Sequence, residues 1–204
     1  MSDPSPVVPN RRPPAGAAIQ RESVTTAIRD AVLIELAEHG YGRTSVEAVA
    51  RRAGVGKAAI YRRWPAKLDL VMAAVSDAAV RPGDIADTGT LRGDVLSFLR
   101  AGRALLGHSL GRRIVPDLLA EAIRTPALAE LMDRSIGSPR RELAASLIER
   151  AIDRGELRAG LDLELALDIV PGALYWRLSV RRAEAPDADL ERMADAVVAA
   201  LHTL

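Results

Sequence analysis

The chain has no cysteine, which rules out disulfides and thiolate metal sites and fits a reducing compartment. Aromatic residues are scarce, with one Phe, three Tyr and two Trp in 204 residues, so the core must be aliphatic. The same scarcity argues against a stacking pocket for flat polycyclic ligands. No run of about 18 apolar residues occurs, so no membrane-spanning helix is expected. The opening MSDPSPVVPNRRPPAGAA lacks the apolar centre of a secretory signal, and a cytoplasmic location is expected. Strand signatures are missing too: no alternating apolar run is bounded by turn residues. His39, His108 and His202 stand apart from any nucleophile or metal-ligand spacing such as H-E-x-x-H. Gly54-Val55-Gly56-Lys57 lacks the preceding strand and the full spacing of a phosphate-binding loop. No catalytic residue, no metal site and no cofactor is therefore expected.

What the chain has is helix formers in quantity and one informative stretch, TSVEAVARRAGVGKAAIYRRWPAKLDL, residues 44–70. Thr44 and Glu47 stand in the spacing of a capping box, and Val46, Val49 and Ala50 form an apolar stripe behind them. Ala53-Gly54 closes that short helix, because Gly takes the left-handed conformation without a Cβ clash. Val55 plugs the turn, Gly56 and Lys57 open a second helix, and Ile60 points inward. Pro65 suits the first turn of a third. This is the layout of a helix-turn-helix, with the motif at about 44–63.

Charge gathers on the same stretch. Arg43, Arg51, Arg52, Lys57, Arg62, Arg63 and Lys67 face the single acid Glu47, a local charge of +6 in a chain of net +1. Residues 82–204 carry −3. A basic patch on a balanced chain marks a polyanion site, and with this motif the polyanion is double-stranded DNA.

The segment Thr26 to Ala74 resembles the DNA-binding domain of the tetracycline-repressor (TetR) family of bacterial transcription regulators. The resemblance rests on Gly40-Tyr41, Thr44-Ser45-Val46, Val49-Ala50, Ala53-Gly54-Val55, Ile60-Tyr61, Trp64 and Lys67-Leu68. The chain departs from the usual pattern at Val49 for Ile, Ile60 for Leu, Arg63 for His and Trp64 for Phe. Farther on, Arg154-Gly155-Glu156-Leu157-Arg158 is similar to such regulators. The resemblance implies a repressor that dimerises through its last two helices and leaves a palindromic operator when a small-molecule effector binds.

The expected fold is all-α, with about nine helices: a three-helix DNA-binding domain followed by a helical bundle for ligand binding and dimerisation. Residues 1–20, with five prolines, should be a disordered tail, in which Arg11-Arg12 are expected to be solvated, the alternative being that they reach a minor groove. The DNA-binding domain should span 21–81 and the bundle 82–204. The first helix should run from Glu22 to Glu38 and end at Gly40, and the linking helix from Ala66 to Val80. Later helices are expected at about 90–106, 112–124, 126–154 with a kink or break at Gly137-Ser138-Pro139, 163–181 and 186–201.

On that frame Lys57 is the candidate for reading a guanine edge. Gly56 and Ala58 let the backbone approach, and Ala59 could touch a thymine methyl. Thr44, Ser45, Tyr61, Arg62, Arg63 and Lys67 are the phosphate candidates. Trp64 is expected to pack between helices, and Arg51 and Arg52 to solvate a helix face. The helix from Leu163 is apolar round most of its circumference, and the last helix carries the row Leu190, Met193, Val197, Leu201. With Ile169 and Ala173 these form the expected dimer interface. Phe98, Arg103, Met132, Tyr175 and Trp176 are the candidates for a ligand pocket. A helical protein-interaction scaffold, or a small all-α enzyme with an incidental basic patch, is the rival explanation. The sequence names neither the effector, the operator, nor the sign of regulation.

Overall fold

The computed structural model describes residues 15–79 and 85–204, with side chains from Arg21 onward. Ten α-helical segments make up the described chain: α1 (Ala15–Arg43), α2 (Val46–Ala53), α3 (Lys57–Tyr61), α4 (Lys67–Ala78), α5 (Leu91–Leu106), α6 (Gly111–Ala122), α7 (Pro126–Met132), α8 (Ser138–Asp153), α9 (Leu163–Tyr175) and α10 (Asp187–Leu201). A π-helical turn, Asp133–Gly137, joins α7 to α8 without a break, so the described residues form nine helical rods. At Gly137-Ser138-Pro139, the expected kink or break, the rod continues through this widened turn. A second π turn, Trp176–Val180, extends α9.

The helix α1 begins earlier than proline-based reasoning placed it. Residues 15–20 belong to the helix and not to a tail, while residues 1–14, including Arg11-Arg12, lie outside the described residues. At its other end Gly40 (φ 75°, ψ 168°) leaves helical geometry, so the regular helix stops at His39 and one turn follows. Gly40 is required twice over. Its φ is positive, and a Cβ there would lie 2.6 Å from Oδ1 of Asp117 on α6.

Two aliphatic cores organise the molecule. Ile28, Val32 and Leu36 of α1 meet Val49, Ile60, Leu70 and Val71 of α2 to α4 in the first. Ile114 and Leu118 of α6 and Leu128 of α7 join that same core, so the second half of the chain supplies one wall of the first. The other core gathers Val95 and Leu99 of α5, Leu147 and Ile148 of α8, Val170 and Leu174 of α9, and Leu190, Val197 and Leu201 of α10. Leu190 and Leu201 are about fully buried there, at 0% and 1% exposure. They belong to the protomer's own core and leave the expected dimer row, because i, i+4, i+7 spacing marks a buried stripe without saying what buries it.

A polar knot fixes the entrance to the second core. Glu156, just past the left-handed Gly155, accepts the Leu91 backbone N–H at 2.8 Å and so caps the start of α5. Arg154 Nε donates to Glu156 at 2.7 Å, and its Nη2 donates to Asp94 at 3.1 Å. Asp94, fully buried, also accepts the N–H and hydroxyl of Thr88, each at 2.7 Å. Burial pushes the Asp94 carboxyl up, but the Thr88 and Arg154 hydrogen bonds and the charge of Arg150 outweigh it and hold the group below its ordinary value. The Arg-Gly-Glu-Leu run therefore fastens the loop before α5, with Leu157 buried beneath it.

Candidate nucleic-acid interface

The turn between α2 and α3 is built by hydrogen bonds that any suitable sequence would make locally. Ser45, not Thr44, is the N-cap of α2: its Oγ accepts the Ala48 N–H at 3.2 Å. Thr44 is buried, and its hydroxyl donates to the Gly40 carbonyl at 2.8 Å. The Thr44–Glu47 capping box is therefore replaced by a Ser45 cap, and the Thr44 side chain does not face outward. At the other end Gly54 (φ 67°) turns left-handed, Val55 N–H reaches the Ala50 carbonyl at 3.0 Å, and Gly54 N–H reaches Arg51 at 3.3 Å. This paired arrangement is a Schellman closure. Gly56 then caps α3 in extended geometry.

Only Ile60 of α3 is buried, at 0% exposure. Lys57, Ala58, Tyr61 and Arg62 are exposed around it, and Ala59 is half-buried. Tyr61 is half exposed, while Trp64 packs against the first core as expected. A short helix held by one anchor, with the small Ala58 and Ala59 between Lys57 and Tyr61, can lie close to a surface.

The seven cations do not act alike. Arg52 binds Glu35 at 2.8 Å and also Glu38, so it ties α2 to α1 and does not solvate a free face. Glu35, Glu38 and His39 lie close enough together to suggest a metal site, but Arg52 occupies the two carboxylates. Lys57 Nζ rests on Glu47 at 2.6 Å, an exposed pair that raises the lysine pKa through that hydrogen bond. Arg63 Nη1 donates to the Ala59 carbonyl at 2.8 Å. Lys67 Nζ donates to the Tyr41 carbonyl at 2.5 Å and lies 4.2 Å from the Tyr41 ring centre, where desolvation lowers its pKa. The Tyr41 N–H in turn donates to Asp117 of α6 at 2.7 Å. A chain of contacts thus runs from α6 through Tyr41 to the start of α4. Sequence reasoning missed Asp117 and the Glu35–Arg52 pair, whose partners lie 76 and 17 residues apart.

In the second core region a cavity of about 450 Å³ opens between α4, α5, α8 and α9. Phe98 and Tyr175 line it as expected, together with Arg140, Pro171 and Leu174, none of which was a candidate. Three expected lining residues lie elsewhere. Arg103 is engaged by Asp187 and the Ala185 carbonyl, Met132 packs on the first core, and Trp176 is 59% exposed. A shallow groove between α9 and α10 is lined by Ile169, Ala173, Met193 and Val197.

The family model described as bacterial regulatory proteins, tetR family, matches residues 28–74, and the tetracyclin repressor-like C-terminal domain matches residues 85–197. The chain belongs to the TetR family. Its members are DNA-binding transcriptional regulators, and so is this chain. It is 32% identical over 165 residues to an uncharacterized HTH-type transcriptional regulator of Mycobacterium tuberculosis, with 80% of each chain covered. It is 30% identical over 182 residues to the DNA-binding transcriptional repressor TetR of Mycobacteroides abscessus, covering 88% of this chain and 94% of that one. Among solved structures, the TetR-family regulator SCO0332 matches with a TM-score of 0.63 at 30% identity, covering 87% and 97% of the two chains. FadR from Bacillus subtilis, solved with stearoyl-CoA, matches with a TM-score of 0.67 at 20% identity, covering 87% and 97%. Among the described residues no helix is long and apolar enough to cross a membrane.

Proposed function

We propose that this TetR-family protein is a homodimeric repressor that releases its operator when a small molecule occupies the α4–α5–α8–α9 cavity. Residues 21–81 form the reader and 82–204 the effector and dimerisation unit. The observation that carries the DNA part is α3: it buries Ile60 alone and turns Lys57, Ala58, Tyr61 and Arg62 outward. The helix enters the major groove with Lys57 on a guanine edge, Gly56 and Ala58 allowing close approach and Ala59 near a thymine methyl. Ser45, Tyr61, Arg62 and Arg63 contact phosphates. Lys67, bonded to Tyr41, adds positive potential at the start of α4 and braces the Gly40–Tyr41 corner.

A second protomer pairs through α9 and α10. The exposed Leu165 and Trp176 and the groove of Ile169, Ala173 and Met193 support that contact, with Val197 buried at the groove's floor. Two readers related by a twofold require a palindromic operator with half-sites on the order of 34–36 Å apart. The effector acts only if it binds the DNA-free form more tightly than the DNA-bound form. The Asp117–Tyr41–Lys67 chain supports a route for that difference, since α6 borders both cores.

Selection of bound sequences from a random duplex pool, repeated at rising salt, tests the proposal. A palindromic consensus and binding that weakens steeply with salt are expected. A non-palindromic profile from a protein that sediments as a monomer overturns the dimer.

A further inference from the structure

The cavity that the proposed function assigns to the effector contains a cation with no counter-ion. Arg140, on the first turn of α8, is mostly buried in its wall. Among the described residues it has neither a hydrogen bond nor an ion pair; its recorded contact is with the Phe98 ring, 5.7 Å from the centroid. Desolvation alone lowers its pKa, with no carboxylate acting in the opposite direction. Every comparable arginine nearby has a partner. Arg141 pairs with Glu164, Arg103 with Asp187, Arg150 with Asp94 and Arg177 with Asp189. Asp168 is the other charged residue of the lining, and it lies 3.6 Å from Arg141 at the rim.

The surroundings are built for such a group. Gly102, one turn beyond Phe98, lies beside the guanidinium: a Cβ there would touch Arg140 Nη2 at 3.5 Å, an ordinary contact, and would crowd Leu174 Cδ2 of the same wall at 2.9 Å. Ile136 and Gly137, from the π turn, line the cavity beside Arg140. Such turns are found disproportionately at functional sites. The rest of the wall is apolar: Leu106, Val115, Leu174 and Pro171 among others. A second apolar cavity of about 560 Å³, between α1, α4, α5 and α6, shares Val75, Ala79, Leu105 and Val115 with it.

Burying an unpaired cation is costly, and here the guanidinium lines a cavity where an anion from outside can remove that cost. A guanidinium presents a fork of N–H donors matched to a carboxylate. We infer that the effector is an apolar small molecule bearing a single carboxylate, its head on Arg140 and its body extending along the apolar wall toward the second cavity. This inference rests on the cavity being the effector site. A ligand of this kind gains the ion pair only inside the cavity, where no other described anion competes for Arg140.

Binding of matched probes to the full-length protein tests it by calorimetry. Dodecanoate and biphenyl-carboxylate are compared with dodecanol and biphenyl-methanol, which have the same bodies without charge. The carboxylates should bind about tenfold to a hundredfold more tightly than the alcohols, and Arg140→Gln should abolish that preference while leaving alcohol binding in place. Equal binding of acid and alcohol, or an unchanged preference in Arg140→Gln, overturns the carboxylate inference and leaves the effector cavity standing. Binding of none of the four overturns both. Arg140→Met separates ligand recognition from a structural role. Removing an unpartnered cation should raise the melting temperature of the ligand-free protein. A fall in that temperature would mean Arg140 holds the helices together, and the inference would fail.

Discussion

The α2–α3 pair, the proposed DNA reader, and the α9–α10 pair, the proposed dimer face, use their side chains in opposite ways. The helix α3 buries Ile60 and turns nearly everything else to solvent. By contrast, α10 buries Leu190, Ala194, Val197 and Leu201 in its own protomer, and its outer side carries the charged Glu191, Arg192 and Asp195 beside Ala196 and the half-buried Met193. A reader of DNA needs polar reach and close backbone approach, so its internal hold is minimal. A helix that both closes a core and meets a second copy must divide its apolar faces between the two. The difference teaches that an apolar row is not evidence of an interface until its first claimant, the core, has been identified.

The largest expected effect breaks the comparison at α10. Leu190→Glu would place an unpaired charge in the second core and destabilise the fold by about 3–5 kcal/mol or more. Ala173→Glu with Met193→Glu, on the groove, should instead leave the helical spectrum intact and give a monomer by sedimentation. If Leu190→Glu stays folded and monomeric, the row is an interface after all.

Next comes the single anchor of the reader. Ile60→Ala should cost about 3 kcal/mol in thermal unfolding, because α3 has no other buried residue to hold it. DNA affinity should fall with it for every sequence. A variant that keeps full affinity would show that α3 is fixed by its charges and not by its core contact.

Asp94→Asn sharpens the contrast on the bundle side, with an expected loss of about 2 kcal/mol from the bonds to Arg154 and Arg150. The folded pKa of Asp94 is depressed below 3.8, so its stabilisation is present in full above that value. It is lost as pH falls through the lower, folded value. Acid unfolding curves of the wild type should therefore steepen below pH 3.8 relative to the Asn variant. Superimposable curves would assign the acid transition to other carboxylates.

The smallest effect on stability belongs to the outermost cation, Lys57. Lys57→Ala should leave the melting temperature unchanged and relax preference at one symmetric base-pair position by roughly tenfold. Arg52→Ala should do the reverse, lowering the melting temperature by freeing Glu35 and Glu38 while keeping the sequence profile. An altered profile with Arg52→Ala would move that arginine onto the DNA.

The α2–α3 unit was legible because its signals are local. Gly54, Val55, Gly56 and Ile60 act on neighbours within a few residues, and their turn geometry follows from which residue can adopt a positive φ or fill a small apolar gap. Even there the cap moved by one position, since Thr44 and Ser45 both carry a hydroxyl and only the path of the chain after Gly40 selects Ser45. The cavity was legible only in part. Phe98 and Tyr175 are large and drew attention, whereas Arg140 in a run of two arginines looks like any solvated helix start.

By itself the sequence determined the helical class, the helix ends marked by Gly, Pro and Asp162, the turn between α2 and α3, and the concentration of positive charge around it. These depend on backbone preference and on period, which neighbouring residues settle among themselves. Tertiary structure alone decided which apolar stripe faces which, and which charge finds a partner. It set Ile114 and Leu118 in the first core, tied Tyr41 to Asp117, and left Arg140 unpaired among apolar side chains. The physical reason is that burial and ion pairing are properties of what lies opposite a residue in space. That partner is fixed by helix packing over tens of residues, not by the residues alongside it in the chain.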